Sequence, residues 1–140
     1  MSFISNSETD TEKFAFELAR TLPPGTVITL DGDLGAGKTV FARGFARGLG
    51  ITEPVSSPTY TIVQEYNLPQ KGRLYHLDLY RISGVQAALA FGVDEFLDDP
   101  EAYALVEWPE RIDGIIPEDA LHIQIKHTGN ESREISVAGQ

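Results

Sequence analysis

Cysteine is absent from the 140 residues, which excludes disulfides, thiolate metal ligands and cysteine nucleophiles. No apolar run approaches the ~18 residues of a membrane-crossing helix, so no transmembrane segment is expected. The opening Met1-Ser2-Phe3-Ile4-Ser5-Asn6 has neither a basic end nor a long apolar stretch, so no secretory leader and a cytoplasmic location are expected. Positive charge is scarce as well: 11 Lys and Arg stand against 21 Asp and Glu, for a net charge of −10. Proteins that grip nucleic acid by themselves concentrate Lys and Arg on one patch, because phosphate neutralisation supplies much of the affinity. No basic run exists here, so independent nucleic-acid binding is not expected, whereas a partner with a basic surface is compatible with the charge. The histidines His76, His122 and His127 show no paired metal-ligand spacing, and no zinc site is expected.

What is present reads as one globular domain over residues 1–140, with 41% hydrophobic and 23% charged residues. A first helix is expected to begin near Ser7 to Thr9. Thr9-x-x-Glu12 has capping-box spacing, and Phe14, Leu18 and Leu22 recur on one helical face before Pro23-Pro24-Gly25 stops it. Val27 to Leu30 reads as a buried strand, and Val40, Phe41, Phe45 and Leu49 give a second helix ending at Gly48 and Gly50. Residues 53 to 60 read as a loop. Thr61 to Tyr66 and Arg73 to Tyr80 read as strands joined by a hairpin connection, and part of 85 to 98 as helix. Further strands are expected at Ala104 to Val106, Leu121 to Lys126 and Arg133 to Val137. Crossovers mixed with hairpins predict an α/β fold: a P-loop NTPase-like domain with a central mixed, largely parallel sheet flanked by helices.

Between the first strand and the second helix lies "GDLGAGKT", with the spacing Gly32-x-x-x-x-Gly37-Lys38-Thr39 of a P-loop. Gly32 and Gly37 let the chain wrap an anion without a Cβ in the way. Successive backbone N–H groups and the positive end of the following helix then face phosphate oxygens. The expected cradle comprises Asp33, Leu34, Gly35, Ala36, Gly37, Lys38, Thr39 and Val40. Lys38 would reach the β- and γ-phosphates and the Thr39 hydroxyl would ligate Mg²⁺. A chance match would lack the flanking strand and helix that this stretch has.

Turnover also needs an acid that holds the metal and a group that positions the nucleophile, and these sit near the carboxyl ends of neighbouring strands. Asp78, late in its strand, and Glu107, directly after Ala104-Leu105-Val106, are the two candidates. Either suits the metal, with the other orienting water or accepting its proton. The plainer readings are a strand-edge carboxylate paired with Arg73 or Arg81 for Asp78, and a solvated strand end for Glu107. Ser56 to Tyr60 reads as a switch loop or as a proline-stiffened turn, and Trp108 as a base-stacking or a packing residue. A small-molecule kinase would need a lid with arginines, and Arg73, Arg81 and Arg111 are scattered. A GTPase would need a guanine-reading Asn-Lys-x-Asp, which is missing.

"GDLGAGKT", "SSPTYTIVQEY", "YHLDLYRI" and "VEWPERI", in this order and spacing, resemble the bacterial TsaE (YjeE) family over residues 8 to 128. The resemblance implies a small Mg²⁺-dependent P-loop ATPase required for the tRNA modification N6-threonylcarbamoyladenosine (t6A). It would work with TsaD and its paralogue TsaB, contact tRNA mainly through them, and turn over weakly alone. It further implies that ATP is bound by Lys38 and Thr39, that Thr59 belongs to a switch-like loop, that Asp78 and Glu107 are the functional acids, and that Trp108 lies beside the site. Val40 departs from the family, many of whose members carry a second hydroxyl there. A competing function is a nucleotide-dependent interaction switch with incidental turnover.

Overall fold

The computed structural model describes residues 1–33, 37–56, 58 and 61–139. Seven strands form one sheet: β1 (Ser2–Ser5), β2 (Val27–Asp31), β3 (Val63–Asn67), β4 (Arg73–Asp78), β5 (Ala102–Glu107), β6 (Leu121–His127) and β7 (Arg133–Ala138). Their spatial order is β1-β7-β6-β2-β5-β4-β3. The four central strands β6, β2, β5 and β4 run parallel, and the edges are closed by antiparallel pairs. The sheet is therefore mixed with a parallel centre, as the alternation of crossovers and hairpins in the sequence leads one to expect. β2 and β5 at its middle read as near-continuous apolar runs because both faces are covered, whereas β6 alternates buried and exposed residues.

Helices α1 (Glu8–Thr21) and α2 (Lys38–Gly48) cover one face. Phe41 and Phe45 of α2 pack there on Ile28, Leu30 and Leu105. The other face packs Val27, Leu77 and Val106 under α3 (Val85–Phe91), α4 (Val93–Leu97) and a 3-10 helix (Pro109–Ile115).

The first helix differs in detail from its sequence reading. Its cap is Ser7, not Thr9: the Ser7 hydroxyl accepts from the Asp10 N–H at 3.1 Å. Asp10 in turn accepts from the Asn6 N–H at 3.0 Å, so two donors at the helix entrance are satisfied. α2 ends at Gly48, as its sequence reading has it, and Gly48 has a second use: with Gly44 it forms the contact with α1. A Cβ on Gly44 would lie 2.3 Å from the Glu12 carbonyl oxygen, and one on Gly48 2.4 Å from that of Phe16. The four-residue spacing puts both glycines on one side of α2, where the backbones of the two helices meet.

Two elements escaped the sequence reading. β1 occupies the stretch examined only for a leader, and pairs antiparallel with β7. The 3-10 helix follows Trp108, whose backbone takes the left-handed conformation at φ 59°.

Candidate functional site

Parallel register decides which side chains meet. Leu30, Glu107 and Asp78 stand opposite one another across β2, β5 and β4, at the carboxyl ends of all three strands. Side chains alternate along a strand. Leu74 packs under α1 and α2, whereas Tyr75, Leu77 and Leu79 pack on the opposite face. His76 and Asp78 therefore share the α2 face with Leu74. Tyr103 and Leu105 fix Glu107 on that same face. Open α/β sheets bind ligands beyond these strand ends.

The chain leaves β2 at Asp31, and α2 starts at Lys38 after Gly37. Gly37 caps the helix with φ 104° and ψ 20°, a conformation costly for any residue with a Cβ, and its carbonyl accepts from the Phe41 N–H at 3.0 Å. The first N–H groups of the helix, left without intrahelical partners, open toward the strand ends. Arg133, at the start of β7, brings its Nε to 3.7 Å from the place a Gly37 Cβ would take. It is a cation beside the loop that the sequence reading did not single out, because only the β6–β7 hairpin carries it there.

Lys38 is buried, with 7% of its side chain exposed, and its Nζ lies 3.9 Å from Glu107 Oε1. The same ammonium sits 4.4 Å from the centroid of the Trp108 ring, a cation–π contact. Glu107 is equally buried. Its second oxygen, Oε2, accepts from His76 Nε2 at 2.6 Å. Asp78 is buried beside it and accepts from the Tyr80 N–H through Oδ1 at 3.0 Å. Tyr80 and Trp108 pack at 4.9 Å between ring centroids, and Arg111 donates to the Tyr80 carbonyl at 3.3 Å.

Lys38, Asp78, Glu107 and Trp108 are thus brought to one end of the sheet. Thr39 and Val40 follow Lys38 in the first turn of α2, both half-buried, and Asp33 is exposed before the loop. Leu34, Gly35, Ala36 and Thr59 lie outside the described residues. Arg73 is within ion-pair distance of Glu65 and Asp99, both at 3.9 Å. His76 is the member of the cluster that sequence reasoning passed over, since it was weighed only as a metal ligand. Its position two residues before Asp78 on the same strand face was the available signal.

Among the described residues no group of three or more His, Asp or Glu side chains is placed to hold a metal. Mg²⁺ in nucleotide sites keeps several waters and takes one or two protein oxygens plus phosphate. A hydroxyl at Thr39 and two buried carboxylates nearby fit such a donor set. Nucleotide phosphate fits the left-handed Gly37, the open helix end and the buried ammonium. A separate cavity of about 410 Å³ lies on the opposite face of β2, lined by Thr29, Asp31, Glu110, Asp113 and His122 among others, and shares no lining residue with this cluster. Among the described residues no helix is long and apolar enough to cross a membrane.

Comparison with known proteins places this geometry in a family. The model of "Threonylcarbamoyl adenosine biosynthesis protein TsaE" matches residues 5–135. The tRNA threonylcarbamoyladenosine biosynthesis protein TsaE of Bacillus subtilis (strain 168) is 46% identical over 130 residues, covering 91% of this chain and 78% of that protein. Its counterpart of the same name in Treponema pallidum (strain Nichols) is 36% identical over 140 residues, 99% of this chain and all of that protein. Among solved structures, YdiB of Bacillus subtilis superposes with a TM-score of 0.84 at 39% identity, over 99% of this chain and 84% of that one. The chain belongs to the TsaE family.

Proposed function

We propose that this protein takes part in t6A biosynthesis as an ATPase, binding and hydrolysing ATP with Mg²⁺ and thereby cycling a complex of TsaD and TsaB. The names of its relatives support the pathway. The observation that carries the chemistry is the convergence of Lys38, Glu107 and Asp78 at the strand ends beside the left-handed Gly37.

In this reading the backbone from Asp33 through Val40 cradles the phosphates. Lys38 exchanges its contacts with Glu107 and Trp108 for the β- and γ-phosphate oxygens. Thr39 would hold Mg²⁺, which would neutralise charge on the phosphates. Asp78 and Glu107 divide the remaining tasks, holding the metal's waters and orienting the attacking water. Thr59 serves in the switch-like loop, and Trp108 borders the nucleotide. With a net charge of −10, the protein leaves tRNA to its partners. Because Lys38 starts out occupied by Glu107, turnover by the isolated protein is slow and rises when partners complete the site.

The test is a nucleotide-hydrolysis assay with and without TsaB and TsaD, comparing wild type with Lys38→Ala. Wild type is expected to hydrolyse ATP faster with the partners, and Lys38→Ala to lose the activity. Equal hydrolysis by both forms overturns the proposal.

A further inference from the structure

We infer that His76 is a positioning residue for Glu107, fixing the carboxylate so that the imidazole, and not the Lys38 ion pair, sets its orientation. The inference rests on the reading of Glu107 as a working acid of the site.

His76 is fully buried, 0% exposed, on the central strand β4. It stands opposite Leu105 of β5, two residues before Glu107 and on the same face, so its ring reaches diagonally to the carboxylate. Nε2 lies 2.6 Å from Glu107 Oε2. A carboxylate oxygen only accepts, so the hydrogen is on Nε2. Nδ1 has no hydrogen-bond partner among the described residues. The imidazole therefore directs its hydrogen bonding at one acid alone. An apolar side chain at this position would avoid burying an unpartnered nitrogen, and packing alone does not call for a histidine.

The two oxygens of Glu107 have different neighbours: Oε2 is held by His76, and Oε1 faces Lys38 at 3.9 Å. That division fixes the rotation of the carboxylate plane. Without His76 the plane is free to turn both oxygens toward the ammonium. Lys38 is then held more firmly by Glu107, and Glu107 is presented at the wrong angle for its task. A residue acting in this way alters the chemical step more than nucleotide affinity.

The experiment measures kcat, KM and ATP affinity with Mg²⁺ for wild type, His76→Ala, His76→Gln and Glu107→Gln, in the presence of TsaB and TsaD. The glutamine carries an N–H donor at nearly the reach of Nε2. His76→Ala is expected to lower kcat about tenfold or more with KM within about threefold, and His76→Gln to restore most of the loss. An unchanged kcat in His76→Ala beside an inactive Glu107→Gln overturns the positioning role alone. So does a folded His76→Gln as impaired as the alanine variant. A fully active Glu107→Gln overturns the reading of Glu107 and this inference with it. Where His76→Ala does not fold, imidazole ¹⁵N spectra of the wild type decide: a hydrogen on Nε2 and none on Nδ1 supports the inference, and a hydrogen on Nδ1 alone overturns it.

Discussion

Gly44→Ala sets two effects of opposite sign against each other, and the structure says which prevails. In an exposed helix interior, alanine in place of glycine stabilises by about 1 kcal/mol. Here the new Cβ would stand 2.3 Å from the Glu12 carbonyl oxygen, 2.7 Å from its Cα and 2.9 Å from its carbonyl carbon. All three are backbone atoms of α1, so no rotamer change relieves the contact. To reach ordinary van der Waals distance the helices must separate by about 1 Å, in an interior packed as densely as an organic crystal. Overpacking of this kind costs about 1–3 kcal/mol, and a backbone obstacle puts it at the upper end. After the propensity gain the net loss is about 2 kcal/mol, a fall in Tm of about 6 °C for a chain of this length. Thermal melts followed by far-UV circular dichroism, with Gly84→Ala as a control with no heavy atom within 4 Å of the added Cβ, measure the difference. An unchanged or raised Tm in Gly44→Ala would refute the claim that the backbones of α1 and α2 meet at this glycine.

Gly37→Ala should leave a folded protein with weakened ATP binding, since the methyl has room at 3.7 Å from Arg133 but φ 104° is strained for alanine; ATP titrations at unchanged affinity would contradict it. Burial raises the pKa values of Tyr66, Tyr75 and Tyr103 above the ordinary 10.0, so the folded state keeps protons that the unfolded chain has released. Stability from these groups is complete below about pH 10 and falls as pH rises through the higher folded values. Denaturant melts between pH 9 and 11 should show that decline, reduced in Tyr103→Phe; a flat profile would contradict it.

The parts of the fold that could be read from sequence were those where one residue type has one physical use. Val27 to Leu30 and the helix that starts at Lys38 lie in one continuous stretch, so strand and helix N-terminus were legible together. Glu107 was legible as a candidate because it closes an apolar run, and Asp78 because it stands late in a strand whose Tyr75, Leu77 and Leu79 face the other way. Their meeting was not, since it depends on the pairing of β4 with β5, between residues 29 positions apart in the chain. His76 escaped for the same reason: its partner Glu107 is 31 positions away. β1 is four residues long and half exposed, so it carries no apolar alternation, and its strand state comes from pairing with β7. Ser7 and Thr9 both offer capping hydroxyls, and the choice fell to Ser7 because Asp10 lies within reach of both Ser7 and Asn6. Gly48 was legible as the end of α2 because glycine often ends helices, but its contact with α1, which passes too close for any side chain, was not.

In the proposed function, hydrolysis at this site, and not nucleotide binding alone, serves tRNA modification. Reconstituted t6A formation on tRNA with TsaB and TsaD, comparing wild type with Glu107→Gln at matched ATP occupancy, tests it most directly. Glu107→Gln is expected to bind ATP but to support little modification over repeated turnovers. Full modification by a variant that no longer hydrolyses ATP would contradict it and leave a binding switch in its place.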